Sequence, residues 1–319
     1  NDDQRCSSAG ACVDLLSTEC DILQWPEDGH DDVVFLGSIM STSGIFEDLV
    51  QPLENAFQLA VEDFNDNASL QSGAKIAWVG CDASAGVAAA LAAAEHLRDN
   101  VEAPAIVGPI FSEQAREIAE QVTVPAGMFV ISPTASAPSL SNFDDDNLLW
   151  RVTPNDVYQG NALVDRFLSD LSPAPQRLLV LNKDDAYGNE LRDLIQTELA
   201  TNIPNVYFAS YPGPETFATE EDLLSSYGEV LGIALSQAGI AQNAGAYDSP
   251  DDHYTHILIL GTSEAEAFIV SYLGIWAQTY APLGVPFPLI TGSHGVVPNL
   301  PAIVANVGVT PGTEPLLPL

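Results

Sequence analysis

The chain has 319 residues, 46% of them hydrophobic, enough for about two domains with real cores. Acidic residues outnumber basic ones 44 to 9, for a net charge of −35. Such a surface repels nucleic acid and anionic membranes, which excludes both as expected partners, and it suggests a salt-rich habitat in which screening tames the self-repulsion.

Residues 1–32 read as an irregular leader held by its cysteines. The four cysteines are Cys6, Cys12, Cys20 and Cys81, and three of them fall in the first twenty residues. An even count in a polar leader predicts two disulfides and an oxidising compartment, with the connectivity open. A metal site would want paired CxxC or Cys–His spacing, which is absent. The chain starts at Asn1 without Met, which fits an export or lipoprotein leader already removed.

Val33 to Gly37 is the first expected strand, followed by a loop to Asp48 and a helix from about Pro52 to Asn65. Lys75 to Gly80 is the second strand and Val87 to Leu97 an alanine-rich helix. The stretch from Ala105 to Pro138 reads as strand, tight loop, helix, strand, tight loop. Its strands, Ala105 to Gly108 and Met128 to Ile131, are apolar throughout, as strands covered on both faces should be. Its helix begins at Ser112, whose hydroxyl can cap free backbone N–H groups. Leu148 to Val152 is a short strand that crosses into a second domain. There the alternation restarts, with helices at 156–171, 187–200, 220–238 and 264–281, and strands at 177–181, 206–209, 257–260 and 287–290. Residues 242–252 read as a loop and 300–306 as a short helix.

This alternation predicts an α/β fold, two doubly wound parallel-sheet lobes with a cleft between them. The expected division is 1–32 as an extension, 33–150 as lobe one and 151–319 as lobe two. The uncharged run from Ala267 to Thr291 is interrupted by Pro282, Pro286 and Pro288, so it reads as a buried helix and strand rather than a membrane span.

Parallel strands joined by a helix present their carboxyl ends on one sheet edge, so Ser112 and Ser136 should lie close together. Two loops rich in hydroxyls and backbone N–H groups, with a helix N-terminus beside them, form a receptor for a small acidic group. The plainer alternative makes Ser112 a cap and the second loop a connection. In the second lobe, Asp184 to Gly188 follows a strand and opens a helix, where Tyr187 could cover a ligand or simply pack. Gly261 to Glu264 sits at another strand end. The patterns GxGxxG, GxxxxGK[ST] and GxSxG are all missing, so no dinucleotide, phosphate-loop or nucleophile-elbow chemistry is indicated, and no cofactor is expected. His253 and His256, with Asp251 and Asp252, could be imagined as a metal site, but strand residues three apart point to opposite faces. The Asp144–Asp146 run reads as a solvated loop.

Several pieces, in this order, resemble one family: LGSIMSTSG with a helix ending EDFN, KIAWVGCDAS, IVGPIFS, VISPTASAP, RVTPNDVYQG, DDAYGNELRD and the loop 292–296. Each is loose alone; the ordered set is specific. It resembles the type I periplasmic binding proteins of the branched-chain amino acid class, over roughly residues 33 to 308. The resemblance implies a non-enzymatic, extracytoplasmic solute receptor, periplasmic or extracellular and in some forms lipid-anchored, that hands an amino acid or small carboxylate to an ABC permease. A sensory receptor ectodomain of the same fold is one alternative. A hydrolase is another, and would need His294 beside Ser112 or Ser136.

By motif, Ser112 would bond the ligand carboxylate, Thr134 through its backbone and Ser136 through backbone and hydroxyl, with Tyr187 closing from the second lobe. Leu49 falls where the family's leucine binder has a tryptophan, and Thr262 replaces a tyrosine. Phe111 replaces a disulfide cysteine, which sends Cys81 to a partner in the leader. His294 replaces the glutamate that binds the ligand's ammonium. Glu264, Asp185 or Glu47 could substitute, or the ligand could lack an amine and be apolar or aromatic, given Phe46, Phe111 and Tyr187. The resemblance also implies return crossings to lobe one that would lie beyond Leu319.

Overall fold

The computed structural model describes residues 3–6, 10–27, 32–217, 219–237 and 253–299. The chain divides into two compact units, Asn1–Pro154 and Asn155–Leu319. The loop read at 242–252, the helix read at 300–306, and Asp251 and Asp252 lie outside the described residues.

In the first unit, β1 (Gln4–Cys6) and β2 (Cys12–Asp14) form a small antiparallel pair. The main sheet contains β3 (Ile22–Gln24), β4 (Val33–Met40), β5 (Lys75–Asp82), β6 (Ala105–Val107), β7 (Phe129–Ser132) and β8 (Leu149–Arg151). Its order is β3-β5-β4-β6-β7-β8, parallel except that β3 runs antiparallel to β5. The leader is therefore not irregular, as the sequence suggests. Ile22–Gln24 extends the sheet, and Leu15 and Cys20 are fully buried. Runs of three residues are too short to announce a strand; pairing with β5 makes them one.

Helices cover both faces because the strands are apolar on both. Ala77, Val79 and Cys81 of β5 face α2 (Val87–Asp99), whose Ala90, Ala93, Ala94 and Leu97 repeat at helical spacing and are buried. Trp78 points the other way. It meets Phe57 of α1 (Glu47–Asn67) edge-on at 5.4 Å and donates its indole N–H to Ser38 Oγ at 2.8 Å. Next, α3 (Ser112–Ile118) passes through a wider turn at Ala119–Thr123 into α4 (Val124–Ala126), burying Ala115, Ile118, Ala119 and Val122.

A single disulfide, Cys20–Cys81, joins the leader to β5. Cys81 thus finds its partner in the leader, as the resemblance implies. Two disulfides are expected from the cysteine count, but Cys6 and Cys12 carry free, exposed thiols.

The second unit has one parallel sheet, β10-β9-β11-β12, from β9 (Arg177–Lys183), β10 (Asn205–Tyr211), β11 (His256–Leu260) and β12 (Leu289–Gly292). Its helices are α5 (Asp156–Asp165), α6 (Ala186–Asn202), α7 (Glu220–Gln237) and α8 (Ala265–Ile275). Alternation sorts its core. Leu178, Val180, Leu258 and Leu260 pack with Leu163, Leu191 and Ile195 on one face. Leu179, Leu181, Ile257 and Ile259 pack with Leu231, Phe268 and Tyr272 on the other. The helix expected over 264–281 is regular only to Ile275, with a wider turn at Trp276–Tyr280. Among the described residues no helix is long and apolar enough to cross a membrane.

Candidate functional site

In an open parallel sheet the binding crevice lies at the strand carboxyl ends where strand order reverses. In the first unit that point falls between β4 and β6. The loop after β4 is held by Asp82, whose carboxylate accepts the backbone N–H of Thr42 at 3.0 Å and of Ser84 at 2.8 Å. Burial pushes the Asp82 carboxyl up, but these bonds and those from the Ser43 and Ser84 hydroxyls outweigh it and hold it below its ordinary value. Just beyond, Met40, Phe46, Val50 and Ile110 form a separate apolar cluster, with Leu49, Leu53 and Phe111 packed against it. Phe46 and Phe111 meet edge-on at 4.9 Å.

The loops after β6 and β7 are stitched to each other beside this cluster. Gly108 begins the first of them at φ +108, and a Cβ there would lie 2.0 Å from the Ile39 carbonyl, so only glycine lets the loop hug β4. The Ser132 hydroxyl donates to the Pro109 carbonyl at 2.5 Å and the Thr134 hydroxyl to the Ile110 carbonyl at 2.6 Å. Ser112 Oγ accepts the backbone N–H groups of Ser136 and Ala137, both at 3.1 Å. Arg151 steadies the far side, donating to the Ala137 carbonyl at 3.0 Å.

Ser112 and Ser136 are thus neighbours, both buried. The N-cap expectation is corrected: Phe111 occupies that position, and no side chain caps the helix. Ser112 Oγ is drawn to the second loop instead. With both lone pairs accepting, what remains on Ser112 is its hydroxyl proton, a donor. Thr134 spends its hydroxyl on Ile110, leaving its backbone N–H as the group it can offer. The uncapped first turn of α3 adds backbone N–H groups that lack intrahelical partners. Removing the stitch in Ser112→Ala leaves two buried N–H groups unpaired, so we expect about 1–3 kcal/mol of destabilisation in urea unfolding.

In the second unit the strand-order reversal falls between β9 and β11. Asp185 caps α6, accepting the Gly188 N–H at 2.8 Å. A Cβ on Gly188 would lie 2.2 Å from the Lys183 carbonyl, which explains the glycine after Tyr187. Tyr187 is buried, with its hydroxyl 3.5 Å from His294 Nδ1 and the rings edge-on at 5.4 Å. Burial, then the nearby Asp156 charge, raise its phenol pKa, so it stays protonated. His294 is half-exposed. Burial lowers its imidazole pKa and Asp156, at 3.8 Å, opposes the shift, with lowering the net direction.

Asp156 and Gln159 carry no role in the sequence reading, yet they organise this corner. Gln159 donates to Asp156 Oδ1 at 2.8 Å and accepts the His294 backbone N–H at 2.6 Å. The available signal was an acid in the first turn of a helix capped by Asn155, inside a motif already picked out.

Thr262 and Glu264 stand at the end of β11. Thr262 donates to Glu264 from its backbone at 2.9 Å and from its hydroxyl at 2.5 Å, and Tyr211 adds a third bond at 2.9 Å. Beside them Lys183, buried, lies 3.2 Å from Asp185 and 3.3 Å from Glu215. Burial lowers its pKa, but Asp185, Glu264 and Glu215 outweigh that and raise it, so the ammonium is kept. Glu264 and Asp185 are therefore already engaged by the protein's own donors.

His253 and His256 pack against different rings. His253 stacks on Tyr280 at 6.0 Å, and His256 meets Phe167 at 6.3 Å. Among the described residues no group of three or more His, Cys, Asp or Glu could hold a metal ion. Asp145 closes its own loop, accepting the N–H groups of Asn147 and Leu149 at 2.9 and 3.3 Å.

A family model described as periplasmic binding protein matches residues 33–218. A relative, the chemotactic signal transduction system substrate-binding protein BasB of Halobacterium salinarum, is 26% identical over 175 residues, 53% of this chain and 42% of its own length. The leucine-binding protein LivK of Thermotoga maritima has a similar structure, with TM-score 0.61 and 18% identity over 86% of this chain and 67% of that one. So does a solute-binding protein of an ABC transporter from R. palustris in complex with 4-hydroxybenzoate, with TM-score 0.60 and 14% identity over 85% of this chain and 65% of that one. The chain thus spans less than half of BasB and about two thirds of these solved chains. Strand-end loops at the reversal points, the parallel sheets and the family match agree: the chain belongs to the periplasmic binding protein family, with the α/β fold of its type I members.

Proposed function

We propose that this protein is the extracytoplasmic solute-binding component of an ABC-type uptake system for a small carboxylate, either a branched-chain-like amino acid or an aromatic acid. One observation carries the reading. With the Ser136 and Ala137 N–H groups held by Ser112 Oγ and the Thr134 hydroxyl held by Ile110, the stitched loops set the Ser112 and Ser136 hydroxyls and the Thr134 backbone N–H beside the apolar cluster of Phe46, Ile110 and Phe111. That pairing suits a ligand with an acid end and an apolar end. Each charge-assisted hydrogen bond to a carboxylate contributes roughly 1.5–3 kcal/mol, enough to outweigh a screened repulsion from the acidic surface. Ser112, Thr134 and Ser136 are the proposed carboxylate contacts, Leu49 and Phe111 the apolar ones, and Tyr187, Thr262 and His294 the second unit's contributions. The known complexes of similar folds fit both ligand classes, since relatives hold leucine in one case and 4-hydroxybenzoate in another.

The test is a thermal-shift panel of small carboxylates and amino acids. Under this reading at least one member raises Tm, and Ser136→Ala or Tyr187→Phe reduces the response. A flat panel with folded protein overturns it.

The similarity to BasB, a substrate-binding protein of a chemotactic signal transduction system, favours a second reading, a binding protein that reports to such a system. Cross-linking in intact cells separates the two. Capture of a permease supports uptake, and capture of a membrane transducer supports sensing.

A further inference from the structure

Cys6 and Cys12 form a feature that solute binding does not use. They stand directly opposite each other in the antiparallel β1–β2 pair. Directly opposed residues in such a pair have Cα atoms about 4.5–5.5 Å apart, inside the roughly 4.4–6.8 Å that disulfides span. The side chains share one face. Gln4, two residues before Cys6, donates to Asp14, two residues after Cys12, at 2.7 Å, and strand side chains alternate with a period of two. Arg5, between Gln4 and Cys6, faces the opposite way. It bonds the Val101 carbonyl and pairs with Glu102 at 2.7 Å, and its guanidinium lies 5.4 Å from the Phe35 ring centre. That anchor holds the inner face of the pair against the first unit and turns both thiols outward, where both residues are exposed.

We propose that Cys6 and Cys12 are a reversible thiol–disulfide exchange site whose co-substrate is a low-molecular-weight dialkyl disulfide. One thiolate attacks a sulfur of the small disulfide, and that S–S bond breaks, releasing one small thiolate. The protein is left as a mixed disulfide. The opposing thiolate then attacks the protein sulfur of that bond, forming Cys6–Cys12 and releasing the second small thiolate. The two protein thiols are oxidised, the small disulfide is reduced to two thiols, and the two protons pass through water to the leaving thiolates. A small-molecule dithiol reverses the oxidation: one of its thiolates opens the Cys6–Cys12 bond to a mixed disulfide, its second thiolate closes a cyclic disulfide, and both protein thiols are released. The buried Cys20–Cys81 bond stays outside the exchange because neither sulfur is accessible in the folded protein.

The probe is oxidised glutathione added to the reduced-surface, folded protein, followed by intact mass and alkylation. In the wild type both thiols should vanish together, with a loss of about 2 Da and no lasting glutathione adduct, and dithiothreitol should restore them. Cys6→Ser and Cys12→Ser, both at exposed positions, should each halt at a single glutathione adduct. Two adducts on the wild type, disulfide-linked dimers as the main product, or thiols unreactive in the folded protein would each overturn the proposal.

Discussion

Replacing Cys20 and Cys81 together by alanine should lower the unfolding free energy by about 2–4 kcal/mol. The bond closes a loop with a sequence separation of 61. A loop of that length removes much of the unfolded chain's freedom, and the loop-entropy relation puts its upper value near 4 kcal/mol at 25 °C. Both residues are buried in the core cluster that α2 shares with β5. The same region is pinned by Ser17, whose backbone N–H donates to the Cys20 carbonyl at 2.9 Å, and by His96, whose Nε2 lies 2.9 Å from the Leu15 carbonyl. Urea unfolding of the double variant measures the effect, with the first unit expected to melt about 5–10 °C lower. A double variant as stable as the wild type would mean that the leader is held by packing alone. Cys6→Ser should leave the midpoint nearly unchanged in reduced protein, because that thiol is exposed and outside the disulfide.

Acid should unfold the second unit through two histidines. Burial lowers the His256 pKa from 6.5 to about 4, and burial together with the Arg177 charge lowers that of His253 to about 4. Both folded values lie below the unfolded one. As pH falls below 6.5 the unfolded chain therefore takes up these protons first. The stabilisation is complete above pH 6.5 and is lost as pH falls towards 4. At a shift of this size each histidine contributes at most about 3 kcal/mol across that window. Chemical unfolding followed at pH 7, 5.5 and 4 should show the decline. His256→Leu, in a pocket shared with Phe167, and His253→Phe, against Tyr280, should each flatten it. An unchanged slope in both variants would assign the acid sensitivity to carboxylates instead.

The sheets are legible in the sequence wherever a strand is buried on both faces. Leu178 to Leu181 and Ile257 to Leu260 are unbroken apolar runs, and they feed opposite cores on alternate residues. The two hydroxyl loops are legible as well, because parallel connection by a helix forces their strand ends onto one edge. The role of Ser112 is not legible. A hydroxyl at a helix start reads as a cap, and only the tertiary approach of the 136–137 backbone draws it away. Ile22–Gln24 becomes a strand only through pairing with β5, so no local periodicity announces it. The wider turns at 119–123, 166–170 and 276–280 likewise carry no compositional mark. Asp156 stands in a visible motif, but its link to His294 spans well over a hundred residues of chain. Lys183 and Asp185 are near neighbours in sequence, but the pairing of Lys183 with Glu215 is made only when β9 and β10 lie side by side.

The measurement that bears most directly on the proposed receptor is isothermal titration calorimetry with matched acids and amides: leucine against leucinamide, and 4-hydroxybenzoate against 4-hydroxybenzamide. If the stitched loops grip an acid, one carboxylate binds saturably, its amide binds at least about tenfold more weakly, a difference of about 1.4 kcal/mol, and Ser136→Ala narrows that gap. Equal affinity for acid and amide, or a gap that Ser136→Ala leaves untouched, would contradict it.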